Sequence, residues 1–440
     1  MDGLSLAAFL DAHPQVERVE AFVCDVNGIA RGKWLPRDKA LEVDAKGLPL
    51  PRSIYALDIW GRDVAEAGLA FGTGDPDGLC RPVARSASLV PWAERPTAQV
   101  MLAMEDGEGA PFFADPRAML GRVVDRLAAR GLTPVVATEL EFYLLPAGEG
   151  APVPDGACQV LSLDALRAVA PMLDAIEAAC RVQGVPSETM LRENGPGQYE
   201  VNLRHLGDAR LAADHAILLK RIVRAVATRH KHIATFMAKP FGDQSGSGMH
   251  VHVSLLDDAG TPVFADADGA PTSLLRHAVG GLVSTMAEAM LLFASHANSY
   301  RRFCRGSHAP TTAGWGPDDR SAAVRVIAGS PAATRIEQRV PGADSNPYLA
   351  LAGILAGVVS GIEGAIDPGP AQSPADEGLR GARLPLEWGA AIEAFAASET
   401  MADALGRDAR DMIVACKRQD RDEMLGRVPD TEYAAYLKSL

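Results

Sequence analysis

The sequence predicts an α+β chain in two unequal parts: a small sheet-rich domain over residues 1–108 and a larger domain of helices and charged strands over 109–440. Three observations carry this. Residues 45–100 are dense in Gly, Pro and short apolar runs with little helical periodicity, which reads as strands joined by long loops. At Asp115-Pro116 the composition changes, because a capping carboxylate followed by proline opens a helix. Beyond it, helical periods alternate with short apolar segments that carry charge at every second residue.

Taken in order, residues 1–13 read as a short amphipathic helix, and residues 19–24 as a β-branched strand. DVNG (25–28) is a turn, and IARGKWLP resumes an extended segment. Residues 100–103 form the last strand of the first part, so the boundary falls within 104–114. The helix opened at Pro116 stops at Gly131, and residues 133–145 form a strand. GEGAPVPDGA (148–157) is a loop. Helical patterns cover roughly 162–183, 208–231, 272–297 and 345–364. A Pro/Gly/Ser-rich loop spans roughly 367–384, and the tail from 386 is helical.

The 440 residues are 48% hydrophobic and 22% charged, enough for a large core without covalent staples. With 43 basic and 56 acidic residues the net charge is −13, evenly mixed, which disfavours a nucleic-acid partner. Six cysteines form no CxxC pair and no zinc spacing, and they read as reduced thiols of a cytoplasmic protein. The first residues lack a basic stretch and meet Asp11 early, so no signal peptide is expected. No run of 18 apolar residues predicts a membrane span.

The period-two charges are the informative feature. Glu139 and Glu141 share one strand face, as do His250, His252 and Ser254, and as do Arg335, Glu337 and Arg339. Two readings stand: solvated faces with salt bridges, or convergence on one polar, ligand-filled interior. With Glu193 and Glu200 from ENGPGQYE, five glutamates in one interior stay ionised only beside cations. Carboxylates with an occasional imidazole suit Mg²⁺ or Mn²⁺ better than zinc. Arg302, Arg320, Arg325, Arg335 and Arg339 lie close together in the chain and offer forks for carboxylate and phosphate oxygens. No GxxxxGK[ST] and no strand-linked GxGxxG occurs. The residues point to metal-dependent phosphoryl transfer on a fold without a P-loop.

ELEF, ENGPGQYE, KPFGDQSGSGMHVHVS, NSYRRF, DDRSAAVRV, RIEQR and NPYLA, in that order over 139–350, resemble the glutamine synthetase superfamily, and DVNGIARGKWLP resembles its first segment. The resemblance implies an amino-terminal β-grasp-like domain and a catalytic domain with an antiparallel curved sheet or barrel. It implies a homo-oligomer, a dodecamer of two hexameric rings. It also implies ATP-driven activation of glutamate as γ-glutamyl phosphate, which an amine then attacks. By position, Glu141, Glu193 and Glu200 would hold one metal, and Glu139, His250 and Glu337 a second. Arg320, Arg325 and Arg335 would clamp phosphates, with Arg320 stabilising the transferring group. His252 and Ser254 would line the ATP site, and Gly246, Arg302 and Arg339 would bind glutamate.

The likeness breaks at the ammonium pocket. His308 in CRGSHAP replaces the family's glutamate, and no aspartate precedes Ser53 in LPLPRSIYALD. PRSIYALD and AGWGPDDR (313–320) resemble the branch that joins glutamate to organic amines, the γ-glutamylpolyamine synthetases among them. His308 reads either as a general base or as a pocket wall. Trp34, Trp60, Trp315 and Tyr55 read as an amine channel or as packing, and Ser245 replaces an asparagine of the glutamate-covering loop. The expected function is ATP-dependent ligation of the glutamate γ-carboxylate to an amine such as putrescine. The rivals are an ammonium-using glutamine synthetase and a non-catalytic relative with a structural or regulatory role.

Overall fold

The structure is a computed structural model that describes residues 5–148, 159–304, 307–373, 376 and 380–440. The predicted 148–157 loop lies outside the described residues except for its first position, and Cys158 lies outside them too. Strands β1 (Arg18–Cys24), β2 (Ala30–Pro36), β3 (Leu48–Pro51), β4 (Asp77–Pro82), β5 (Ser88–Leu89) and β6 (Thr97–Glu105) form the first sheet. Its order is β2-β1-β6-β4-β3, with β5 beside β6 and only β1–β6 parallel. The DVNG turn joins β1 to β2, with Gly28 at φ +75°. The Asp25 carboxylate accepts the Asn27 and Ile29 amides, which closes the turn.

The second sheet contains β7 (Thr133–Pro146), β8 (Ser187–Arg192), β9 (Gln198–Leu203), β10 (His232–Thr235), β11 (Met249–Leu256), β12 (Trp315–Pro317), β13 (Val324–Ile327) and β14 (Arg335–Gln338). The order is β12-β13-β14-β11-β7-β9-β8, with β10 on the end of β7. It is curved and antiparallel apart from β12–β13, the architecture expected of this chain. Helices Ala209–Arg229, Ser273–Phe293 and Pro347–Glu363 bury apolar surface around it. The last of these is buried along nearly its whole length, as its continuous apolar composition requires. Among the described residues no helix is long and apolar enough to cross a membrane.

Element boundaries follow local chemistry. Asp115 caps helix Pro116–Ala128 through the Arg117 amide, and Gly131 follows at φ +68°. The 162–183 pattern divides at Val169, because Pro171 cannot continue the helix from Leu163–Ala168. The tail holds four helices, Trp388–Ala396, Glu399–Leu405, Arg407–Leu425 and Asp430–Tyr436.

Buried polar bonds join the first sheet to the rest. Asn346 donates to the carbonyls of Asp25 and Val26. Lys417 donates to Asn27 across 390 positions, and Asp420 accepts the Ile59 amide at 2.8 Å. The Tyr55 hydroxyl donates to Asp115 at 3.0 Å, so Tyr55, fully buried, packs in the core and lines no channel. Asp115→Ala removes the cap and strands that buried hydroxyl. It should cost about 2–4 kcal/mol, measured by urea unfolding.

Candidate active site

Strand registry builds the site. Across β13, β14 and β11, Arg325 stands opposite Glu337, and Glu337 opposite His252. Across β11, β7 and β9, His250 stands opposite Glu139, and Glu141 opposite Glu200. The period-two faces thus converge on one interior. Among the described residues three donor groups form there, each with its ligand atoms within 4.8 Å: Glu141/Glu193/Glu200, Glu139/Glu200/His250 and Glu139/His252/Glu337.

The first group is all carboxylate. Burial and the neighbouring Glu193 push Glu141 up to about 7, against the Arg302 charge. Burial, then the charges of Glu139, Glu141 and Glu193, push Glu200 up to about 9. Glu193, on the loop after β8, is also raised by burial, although the Asn194 amide and the charge of His308 act against that. Like charges set directly opposite on neighbouring strands repel. This donor set has more negative charge than its protein partners neutralise, so it fits a hard divalent cation.

The second cluster already has cations. Burial alone would raise Glu139, but hydrogen bonds from His250 and His252 hold it well below the usual carboxylate range. Glu337 is likewise raised by burial, and His250, Arg339 and His252 more than reverse this. Arg325 donates to Glu337 at 2.9 Å and also binds Asp318. Arg339 binds the other Glu337 oxygen. His250 Nδ1 lies 3.4 Å from Glu139 and 3.7 Å from Glu337, and burial lowers its basicity. The Arg335 Nε–H donates to His252 Nδ1 at 3.2 Å. That nitrogen is therefore an acceptor, so Nε2 carries the proton and donates to Glu139 at 2.9 Å.

The other expected residues surround this interior. Arg302 is buried, with its guanidinium on the carbonyls of Arg339, Val340 and Pro341. Gly246 lies against it, where a Cβ would come within 2.7 Å of Arg302 Cγ. Ser254 is half-buried two residues beyond His252 on β11. Arg320 is exposed beside Asp318, which pairs with Arg325. His308 is exposed, and its charge acts on Glu193. Trp34 is 67% exposed under the Arg18 guanidinium, and Trp60 lies between Arg62 and Arg427. Trp315 donates to the Gly369 carbonyl.

Sequence reasoning missed four residues that contact those it had singled out. Gln198 and Tyr143 stand two residues from Glu200 and Glu141, so the same alternation places them on the site face. His205 packs beside His252 with ring centroids 5.7 Å apart, and no periodicity marked it. Asp75 places both carboxylate oxygens on Ser53, one on its amide and one on its hydroxyl. A carboxylate thus reaches the Ser53 segment from 22 positions away, although none stands in LPLPR (48–52) just before it.

An interior of acidic metal-donor groups ringed by arginines, on a mainly antiparallel sheet, defines a metal-dependent phosphoryl-transfer enzyme, and the chain belongs to the glutamine synthetase family. Residues 113–436 match that family's catalytic domain. The chain is similar to the gamma-glutamylputrescine synthetase PuuA of Escherichia coli strain K12, 37% identical over 98% of this chain and 94% of that one. It is similar to the glutamate–isopropylamine ligase of a Pseudomonas species, 32% identical over 83% and 82% of the two chains. The solved structure of apo GmaS superposes with TM-score 0.86 at 27% identity, covering 98% of this chain and 99% of that one. The family implies ATP and divalent-metal use.

In the metal-free protein Glu200 binds a proton that the unfolded chain, with an ordinary value of 4.5, has released. The folded state then holds more protons, so Glu200's contribution to metal-free stability falls as pH rises from 4.5 toward 9. Divalent metal should release about one proton near pH 7.5 and restore that stability. Calorimetry in buffers of different ionisation enthalpy reads the release; proton uptake would contradict the donor assignment.

Proposed function

We propose that the chain ligates the γ-carboxylate of glutamate to an organic amine, a polyamine such as putrescine, at the expense of ATP. The carrying observation is the partly buried Glu141/Glu193/Glu200 group, whose Glu193 feels the charge of His308, where the ammonium-using enzymes of the family keep a glutamate. Residues 1–108 serve as the β-grasp-like domain and 109–440 as the catalytic domain. Glu141, Glu193 and Glu200 hold one divalent ion, and Glu139, His250 and Glu337 the other, as Mg²⁺ or Mn²⁺. Their oxygen-rich donors support that choice over zinc. When bound, the ions neutralise phosphate charge.

This chain's residues do the rest. Arg325 and Arg335 meet the phosphates from β13 and the start of β14, and His252 and Ser254 line the nucleotide. Gly246, Arg302 and Arg339 orient glutamate. Its γ-carboxylate oxygen bonds to the γ-phosphorus as the bond from that phosphorus to the ADP oxygen breaks, and Arg320 receives the developing charge. The amine nitrogen then bonds to the acyl carbon, loses a proton and expels phosphate. His308, exposed and without the negative charge by which a carboxylate would hold ammonium, either accepts that proton or walls the pocket.

The reading includes a cytoplasmic dodecamer of two hexameric rings. Support for an assembly comes from exposed apolar side chains: Trp34 on β2, and Tyr433, Tyr436 and Leu437 in the helix Asp430–Tyr436 and just after it.

Phosphate release with glutamate, ATP and a panel of amines tests the acceptor. Putrescine or another organic amine should exceed ammonium in kcat/KM, and the reverse order would refute the proposal. Glu337→Gln should lower kcat at least about a hundredfold with circular dichroism unchanged. Turnover within threefold of wild type would refute the ligand assignment.

A further inference from the structure

We infer that Gln198 is a positioning residue that couples the carboxylate metal group to the loop covering glutamate. The inference rests on the proposed roles of Glu141 and Gly246, and extends them to a side chain outside both sets. Gln198 is 1% exposed at the start of β9. Its Nε2 faces three acceptors: Glu141 Oε2 at 3.3 Å, the Gly246 carbonyl at 3.0 Å and Ser247 Oγ at 3.2 Å. Its Oε1 accepts the Gly195 amide at 2.9 Å, in the loop that carries Glu193. One amide therefore touches the carboxylate of β7, the loop after β8 and the 239–248 loop.

The geometry makes these three move together. Glu141 Oε2 also accepts the Gly248 amide at 2.8 Å, so that oxygen is tied to both ends of the Gly246–Gly248 stretch. Three successive carbonyls of the loop are held by buried side chains: Gln244 by Lys239, Ser245 by the Tyr143 hydroxyl at 2.7 Å, and Gly246 by Gln198. Of these braces Gln198 also reaches a carboxylate of the donor group. Two amide hydrogens cannot satisfy three acceptors at full strength. A cation that draws Glu141 toward Glu193 and Glu200 weakens the 3.3 Å bond and frees Nε2 for Gly246 and Ser247. Metal binding then tightens the loop, and the loop's glutamate in turn favours the metal.

The test pairs two readouts on the full chain. Gln198→Met keeps length and burial but removes the donor, and Gln198→Asn keeps the amide but shortens its reach, in case the first variant fails to fold. In metal-free protein, hydrogen exchange of the 241–248 amides should quicken in both variants. Calorimetric glutamate binding with and without saturating Mn²⁺ gives the coupling: at least about fivefold tightening in wild type and less than twofold in the variants. The glutamate KM should rise roughly tenfold while the ATP KM stays within about twofold. Wild-type exchange, or quickened exchange with wild-type coupling, overturns the inference while leaving the proposed function intact. Absence of Mn²⁺ coupling in wild type itself brings down the metal–glutamate reading and this inference with it.

Discussion

Everything in the interior depends on three carboxylates held close together and largely screened from water. Glu141 and Glu200 face each other across adjacent strands, and Glu193 closes on them from a loop. Such an arrangement is unfavourable in isolation, because burial and mutual repulsion both oppose ionisation. The sheet enforces it regardless, since backbone pairing fixes the register and apolar residues such as Leu140 and Val201 occupy the alternate positions. Stability is thereby lost locally in exchange for a cavity that favours a small, doubly charged ion.

The neighbouring cluster resolves the same conflict differently. Glu139 and Glu337 keep their charge because imidazoles and guanidinium groups already touch them. Arg325 and Arg339 bracket Glu337 from both sides, so the arginines that would meet anionic substrate are themselves oriented by a carboxylate. The two clusters share Glu200 and Glu139 in one donor group, which makes them a continuous electrostatic unit.

How far the sequence speaks is visible residue by residue. Glu139, Glu141, His250, His252, Arg335 and Glu337 were legible because strand alternation places them on one face whatever the fold. Their convergence was legible only through charge: so many carboxylates require a shared cation. Gln198 and Tyr143 obey the same alternation, but a neutral amide and a phenol raise no electrostatic alarm. Asp75 beside Ser53 was out of reach, since nothing local signals a contact made across a long excursion of the chain. The family fold came from ordered motifs and agrees with the observed sheets, whereas periodicity alone supplied only strands and helices.

The bond from Lys417 to Asn27 and that from Asp420 to the Ile59 amide have a temporal meaning. The first sheet is made before the helix Arg407–Leu425 that carries its partners. Until that helix leaves the ribosome, Asn27 and the loop after Tyr55 lack those partners. A nascent chain therefore holds an unfinished seam until that helix has been made, an order of events that local contacts alone would not impose.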